Sequence, residues 1–445
     1  MDITFWQWML VLATSILLFI FSPLAKTSEQ FFHARHKGKS PNWIWLTGSL
    51  VISWVFAKSI ANAADLGARF GMTGGLAYAC YYLSFIVAGF VIYFLRKKGG
   101  FHSIHHFLGS RFGRGALIIF SVVIAFRLFN EIWSNTMVIG LYFGEQGSVP
   151  YYWSILIFTA LTLAYSLKGG LNSSIFSDGI QMILFGVLLT AILFLLFQRP
   201  DFNHNVLAQK TSFSWEGGLN LLLVAVLQSF SYPFHDPVLT DRGFISPLRT
   251  TLRSFILAGI IGGLCIFLFS FLGIASGDQQ PGPQQIGSFF GPIMLLLVNF
   301  IMIVSAASTL DSTFSSFSKL AILDLKLGHG VRFGRLTMII VALGGTIPLL
   351  FDPAILSATT ISGTMVVGLT PVFLFWWIKV PKISFYLSVL AGIFVGILLV
   401  LQLIPKGIIL SPGPYGELLW ANVFALLICL LLYFVPYWLK RKRHD

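Results

Sequence analysis

Apolar residues fill long runs of the chain, and short loops rich in polar residues separate these runs. A membrane-spanning helix needs about 20 predominantly apolar residues. On this basis the pattern predicts about thirteen spans. Their centres lie near residues 13, 53, 84, 128, 158, 185, 225, 264, 301, 343, 366, 393 and 429. The pattern is typical of an all-α integral membrane protein without a separate soluble domain.

Composition and charge narrow the class further. The chain is 56% hydrophobic and only 10% charged, with a mean hydropathy of +0.84, which excludes an ordinary soluble domain. Its net charge of +13 is concentrated in alternate loops and in the tail KRKRHD. This distribution follows the positive-inside rule and argues against nucleic-acid binding. It predicts a multi-pass protein of the plasma (inner) membrane, with the N-terminus outside and the C-terminus in the cytosol.

Cysteine and histidine give no indication of a disulfide framework or a metal cluster. Cys80, Cys265 and Cys429 all fall within predicted spans, and most histidines fall in predicted cytosolic loops. The apolar segment at the N-terminus has no basic region before it, so we interpret it as a retained helix.

Hydroxyl side chains line one face of the predicted ninth span. They recur at three- and four-residue steps, which places them on one side of a helix. The residues are Ser305, Ser308, Thr309, Ser312 and Ser316. Lipid cannot satisfy such groups, so they face other helices or a hydrated cavity. Two interpretations are equally open: contacts between packed helices, or a site for a dehydrated monovalent cation.

Two predicted spans are interrupted by polar residues. The second contains Ser53, Lys58 and Asn62, and the seventh contains Gln228, Ser229 and Ser231 before Pro233. Proline breaks the hydrogen-bond ladder of a helix. The two spans are the first members of two successive sets of five helices, counted from the second span. Irregular helices at matching positions indicate an inverted-repeat transporter whose site lies near the middle of the membrane.

Further charges lie at membrane depth. Arg127 and Glu131 are four residues apart in the fourth span, so they either pair with each other or leave a cation for the substrate. Arg127 or Lys58 would then bind a substrate carboxylate. Asp311 is about 120° around its helix from the hydroxyl face, so we do not assign it to a sodium site and expect it to contact one of these cations.

Four segments resemble the sodium:solute symporter family. AYSLKGGLNSSIFSDGIQM resembles its helix-loop-helix signature, and SAASTLDSTFSSFSKLAILD resembles its sodium-site helix. SYPFHDPVLTDRGF matches its Asp-then-Arg segment at Asp236 and Arg242, and FFHARHKGKSPNW resembles the loop before the first core helix. The segment SWVFAKSIANAADLGARFG is most similar to the urea-transporter branch of the family.

The resemblance implies a LeuT-like core of five plus five inverted-repeat helices, with one helix before it and two after it. The corresponding regions are residues 1–41, 42–200, 201–380 and 381–445. It also implies sodium ligands from the hydroxyls of Ser305, Ser308 and Thr309 and from the carbonyls of Ile52 and Val55. Asp178 is implied as part of a second sodium site. A helix cap or an ion pair is the alternative role for Asp178.

The predicted function is sodium-coupled import of a small polar organic solute by alternating access, without enzymatic chemistry. The predicted cavity residues are Ser53, Trp54, Phe56, Lys58, Gln228, Ser229, Ser231, Arg127 and Glu131. The alternatives are a proton-coupled or sodium-independent carrier, in which Lys58 replaces the ion, and a membrane protein that senses a solute.

Overall fold

A computed structural model describes residues 2–34, 39–199, 211–276, 289–351 and 362–442. The first half contains α1 (Ile3–Phe21), α2 (Ser28–His33), α3 (Trp43–Ile52), α4 (Ala57–Ala79), α5 (Leu83–Lys97), α6 (Ile104–Phe112), α7 (Arg114–Gly140), α8 (Val149–Gly169) and α9 (Leu171–Phe197). The second half contains α10 (Asn220–Gln228), α11 (Pro237–Arg242), α12 (Leu248–Ser276), α13 (Pro292–Lys319), α14 (Gly330–Thr346), α15 (Leu369–Leu374), α16 (Lys382–Val400) and α17 (Gly416–Arg441).

Within these ranges, ten helical segments are long and apolar enough to cross a membrane. The segments are Ile3–Phe21, Ala57–Lys97, Arg114–Gly140, Val149–Gly169, Leu171–Phe197, Leu248–Ser276, Pro292–Asp324, Gly330–Leu349, Lys382–Val400 and Gly416–Arg441. The sequence predicted about thirteen spans. The two counts differ partly because two predicted spans are broken into short helices, and part of the predicted span near residue 366 lies outside the described residues.

Both interruptions predicted from the sequence are present. The helix α3 ends at Ile52 and α4 begins at Ala57, which leaves residues 53–56 between them as the first break. In the second half α10 ends at Gln228 and α11 begins at Pro237. A short 3₁₀ turn over Tyr232–His235 lies within this second break. Carbonyl groups in such breaks lack the partners that a continuous helix would give them.

A left-handed glycine bends α4 and explains how one long segment fills two predicted spans. Gly71 has φ 59°, a conformation that other residues adopt only with strain. The part of α4 before Gly71 continues the broken second span. The part after it runs through the 3₁₀ turn Cys80–Tyr82 into α5 and forms the predicted third span.

The interior of the protein is built around α3, α4, α7, α9, α12 and α13. The helix α12 packs along α4, and α13 packs against α7 and α9. Glycines allow α4 and α12 to approach closely, because a Cβ atom at Gly273 would lie 1.7 Å from the carbonyl oxygen of Ala64. A Cβ atom at Gly67 would lie 2.2 Å from the carbonyl oxygen of Ser270. Small residues at such contacts are typical of membrane helices.

We expect Gly273→Ala to destabilise the protein, because the methyl group would press on the backbone of α4. Overpacking of this kind costs about 1–3 kcal/mol. Thermal unfolding of the purified variant should therefore occur at a lower temperature than that of the wild type. Gly186→Ala is the matched control, since nothing lies within 4 Å of the position its Cβ atom would take. Equal unfolding temperatures for the two variants would contradict this packing.

Candidate functional site

Four buried charges connect the two helix breaks. We call Lys58, Glu131, Arg127 and Asp236 the central charge chain, and each is at most 3% exposed. The Nζ atom of Lys58 lies 2.8 Å from Oε1 of Glu131, and Glu131 also forms an ion pair with Arg127. Arg127 Nη2 in turn lies 3.1 Å from Oδ2 of Asp236. Two cations and two carboxylates therefore balance each other in the interior.

Asp236 joins three elements through one carboxylate. Its Oδ2 accepts a hydrogen bond of 2.9 Å from Nε1 of Trp54 in the first break, in addition to its contact with Arg127. Its Oδ1 caps α11 by accepting a hydrogen bond of 3.3 Å from the backbone N–H of Leu239. A carboxylate at the start of a helix satisfies free N–H groups and favours the helix dipole. The contact links the first break to the second.

Lys58 lies just past the first break, as the second residue of α4. Besides Glu131, its Nζ atom donates a hydrogen bond of 3.0 Å to Oγ of Ser134 on α7. The Asn135 side chain supports the same arrangement, because its Nδ2 donates to Oε2 of Glu131 at 2.9 Å. The sequence left open whether Arg127 and Glu131 pair with each other or leave a cation for the substrate. The structure shows that they pair.

An aromatic cavity with a volume of about 20 Å³ adjoins the central charge chain. Six rings and the Ser59 side chain line it. The rings belong to Trp54, Phe56, Tyr78, Tyr81, Tyr82 and Tyr232. They come from both helix breaks, from α4 and from the turn between α4 and α5. The predicted cavity residues Trp54 and Phe56 are therefore part of this wall.

Among the described residues, the other predicted cavity residues are not part of the lining of this cavity. Gln228 accepts a hydrogen bond of 3.0 Å from the hydroxyl of Tyr81. The remaining serines donate to backbone carbonyls: Ser53 to Ser49, Ser229 to Val226 and Ser231 to Gln228.

A second buried cluster joins α3, α9, α11 and α13. We call it the Asp178–Arg242 cluster, after an ion pair with Nη2 of Arg242 2.9 Å from Oδ2 of Asp178. Asp178 also accepts hydrogen bonds from the hydroxyls of Ser49 and Ser308. Arg242 in addition donates to Ser49 at 2.7 Å and to Ser312 at 2.8 Å.

Asp311 belongs to the Asp178–Arg242 cluster and not to the central charge chain. Its carboxylate accepts hydrogen bonds from Ser174 at 2.9 Å and from Ser177 at 2.7 Å, both on α9. The expectation that Asp311 contacts Lys58 or Arg127 does not match this placement. The physical reason is that α9 packs beside α13 on the side where Asp311 points. The cluster thus contains two carboxylates and one guanidinium.

Of the predicted sodium ligands, Ser308 donates a hydrogen bond to Asp178 of the Asp178–Arg242 cluster, and Ser305 and Thr309 lie beside it on α13. Ser305 and Ser308 are fully buried on α13, and the Ser305 hydroxyl has no hydrogen-bond partner among the described residues. Thr309 donates a hydrogen bond of 2.9 Å to the carbonyl of Ser305. The carbonyls of Ile52 and Val55 accept no hydrogen bond from the part of the chain that the structure describes. The helix α3 packs against α13, so these backbone oxygens and the hydroxyl face belong to neighbouring helices.

Outside the candidate spans, His105 lies near the end of α13. Its Nδ1 atom is 3.5 Å from Oδ2 of Asp324. Burial lowers the pKa of His105 to about 4, so its ring is neutral at pH 7. No group of three or more potential metal-ligating side chains occurs among the described residues. The expectation from the sequence that the histidines form no metal site stays a prediction.

The tyrosines of the cavity are the main residues that sequence reasoning did not assign to it. Tyr81 and Tyr82 follow Tyr78 by three and four residues, and both spacings place a side chain on the same helix face as Tyr78. This grouping in an otherwise apolar segment was the available signal.

Comparison with known proteins finds relatives among sodium cotransporters, although no family model matches the chain. A "Sodium/glucose cotransporter" of Vibrio parahaemolyticus is 29% identical over 296 residues, which are 63% of this chain and 49% of that protein. "Sodium/glucose cotransporter 4" of Danio rerio is 24% identical over 179 residues, or 39% of this chain and 26% of that protein. "Sodium/glucose cotransporter 1" of Ovis aries is 28% identical over 172 residues, or 37% and 25%. The matched part of the chain thus spans half or less of these relatives.

Solved structures match over nearly the whole chain. A Na⁺-coupled sialic acid symporter in a substrate-bound, outward-open state has a TM-score of 0.69 at 14% identity, covering 97% of this chain and 98% of that one. A nucleobase-cation-symport-1 family transporter in a closed conformation has a TM-score of 0.57 at 10% identity, covering 95% and 96%. At these identities the likeness shows the fold.

These relatives are transporters, in agreement with the expectation that the chain is not an enzyme. They also confirm the resemblance to the sodium:solute symporter family, whereas the similarity to the urea-transporter branch stays a prediction. The chain is a multi-helix membrane protein that has the fold of Na⁺-coupled symporters and is related in sequence to sodium/glucose cotransporters.

Proposed function

We propose that the protein is a sodium-coupled symporter that imports a small polar solute by alternating access. The related cotransporters and the shared fold support the coupling to sodium. In this proposal the core is a five-plus-five inverted repeat within residues 42–380, with the remaining spans at either end. The C-terminus lies in the cytosol and the N-terminus outside the plasma membrane, as the positive-inside rule indicates.

The observation that carries the proposal is the charge of the Asp178–Arg242 cluster. Two buried carboxylates, Asp178 and Asp311, lie in a cluster with one guanidinium, that of Arg242, which forms an ion pair with Asp178. An unbalanced buried charge is costly, so a cation nearby would stabilise the cluster. The Ser305 hydroxyl on α13, the Ile52 carbonyl at the end of α3 and the Val55 carbonyl in the first break are hard oxygen ligands on neighbouring elements.

We assign sodium to the oxygens of Ser305, Ser308, Thr309, Ile52 and Val55, and a second sodium to the neighbourhood of Asp178. Sodium at these positions would contact the broken helix on one side and α13 on the other. Binding would therefore favour the conformation in which α3 is packed against α13. A ligand that binds one conformation more tightly shifts the equilibrium toward it, which couples sodium to the solute.

The contacts of Lys58 argue against its replacing the sodium ion of the proposed site. Its ammonium group contacts Glu131 and Ser134 on α7, within the central charge chain. This placement favours sodium coupling over the carrier in which Lys58 substitutes for the ion.

We expect Ser308→Ala and Thr309→Ala each to weaken sodium activation while the protein still reaches the membrane. Removing one ligand of a dehydrated cation costs about 1–3 kcal/mol, by analogy with an unsatisfied buried partner. Sodium titration of solute uptake measures the change in half-saturation. Ser318→Ala is the matched control, because Ser318 lies near the end of α13 and its hydroxyl donates to the carbonyl of Gly334 on α14. Unchanged half-saturation in both site variants would contradict the assignment.

A further inference from the structure

We propose that the protein binds an anionic phospholipid at the membrane surface where the starts of α7 and α16 meet the end of α17. This surface lies away from the helix breaks, and the proposal does not depend on the coupling ion. We call the surface the basic interface. Its six basic residues are Arg114, Lys379, Lys382, Lys440, Arg441 and Lys442.

The start of α7 packs against the start of α16. The ring centroids of Phe112 and Phe385 are 5.2 Å apart. A Cβ atom at Gly113 would lie 3.7 Å from Nζ of Lys382. Since Arg114 follows Gly113 directly, these contacts bring Arg114 and Lys382 to the same place on the surface.

The end of α17 lies at the same end of this helix pair. The Sγ atom of Cys429 in α17 donates a hydrogen bond of 3.3 Å to the carbonyl of Ser388 in α16. Further along α17, the ring centroid of Phe434 is 5.2 Å from that of Phe375, which precedes α16 in the chain. The two helices are therefore antiparallel, and α17 carries its last residues past the start of α16.

No carboxylate of these segments balances the basic interface. Residues 102–130, 353–416 and 418–442 contain neither Asp nor Glu. All six basic residues are exposed, and none of them forms an ion pair within the part of the chain that the structure describes. Their counter-charge must therefore come from outside the protein.

Exposed aromatic and aliphatic side chains place the basic interface at the depth of the lipid headgroups. Trp377 is 58% exposed and Trp438 is 51% exposed, and the ring of Trp438 stacks on that of Phe434. Tryptophan is enriched at the boundary between membrane and water. Ile383 and Leu439 are exposed beside the basic residues and offer apolar contacts to acyl chains.

An anionic phospholipid complements this surface in both of its parts. Basic groups between membrane helices attract lipid headgroups of net negative charge, whereas the ammonium group of a zwitterionic lipid cancels this attraction. Neither α7 nor α16 has a side-chain cap at its start, so backbone N–H groups of the first turns add donors for phosphate oxygens. The orientation proposed above places this lipid in the cytosolic leaflet.

The test measures thermal unfolding of the purified full-length protein in neutral detergent with added phospholipid. Phosphatidylglycerol is the anionic probe, and phosphatidylcholine with the same acyl chains is the zwitterionic control. We expect phosphatidylglycerol to raise the unfolding temperature in a saturable way and phosphatidylcholine to have little effect. Native mass spectrometry should show phosphatidylglycerol retained on the protein in preference to phosphatidylcholine.

A double variant links the effect to the basic interface. Arg114→Gln/Lys382→Gln should require at least five-fold more phosphatidylglycerol for half of the shift. Lys326→Gln/Arg332→Gln is the matched control, because it removes the same charge from two exposed residues in another loop and should respond as the wild type does.

The unfolding temperature of each variant without lipid shows whether it is folded. Lys379→Gln/Lys440→Gln serves as a second interface variant if the first is not. Equal stabilisation by the two lipids would overturn the proposal, and so would equal responses of the interface and control variants. Either result would mean that the basic residues only orient the protein in the membrane.

Discussion

Asp178→Asn is expected to abolish sodium-dependent uptake at ordinary sodium concentrations. The substitution removes the carboxylate that accepts hydrogen bonds from Ser49 and Ser308, and it leaves one negative charge, on Asp311, and one positive charge, on Arg242, in the cluster. The excess negative charge that favours a cation is then lost. A contact to a charged group is worth about 1.5–3 kcal/mol, which corresponds to about 10- to 150-fold weaker sodium binding.

Sodium titration of uptake by cells that produce the variant measures this effect, with the amount of protein in the membrane as a reference. Asp65→Asn is the matched control, because Asp65 pairs with Arg69 at 3.1 Å in a partly exposed position. An Asp178→Asn variant with the sodium dependence of the wild type would show that this carboxylate only joins helices.

Glu131→Gln is expected to cause the largest loss of stability. Glu131 is the partner of Lys58 and Arg127, so its neutralisation leaves two buried cations facing the single carboxylate of Asp236. Removing one partner of a buried pair costs about 3–5 kcal/mol. The variant should unfold at a clearly lower temperature and accumulate at a lower level in the membrane.

The double variant Lys58→Met/Glu131→Gln provides the control for charge balance. It removes one cation and one carboxylate, so Arg127 and Asp236 remain as a neutral pair. Its unfolding temperature should lie above that of Glu131→Gln alone. The loss of stability in the double variant could instead equal the sum of the losses in Lys58→Met and Glu131→Gln. That result would show that the two charges act independently and not as a chain.

The fold was largely predictable from the sequence because membrane helices must be long and apolar. Polar residues together with Pro233 also indicated the second break. The exact division of the chain into spans was not predictable. Gly71 joins two predicted spans into one bent helix, and only its positive φ reveals where the chain turns.

The sequence could predict those residues of the candidate site that share one face of a single helix. Ser305, Ser308 and Thr309 lie together on α13 beside Asp178, which comes from a motif far away in the chain. Asp311 was misplaced because a helical pattern gives the direction of a side chain but not the helix it meets. The cavity tyrosines were missed for the same reason: their hydroxyls acquire a role only where two broken helices meet α4.

Direct binding of radiolabelled sodium to the purified protein tests the central claim without knowledge of the solute. We expect saturable binding that unlabelled sodium displaces and potassium does not. Binding should be strongly reduced in Asp178→Asn and in Ser308→Ala and retained in Ser318→Ala. Absence of saturable binding to the folded wild-type protein, or equal binding to all of these variants, would contradict a sodium site between the first helix break and α13.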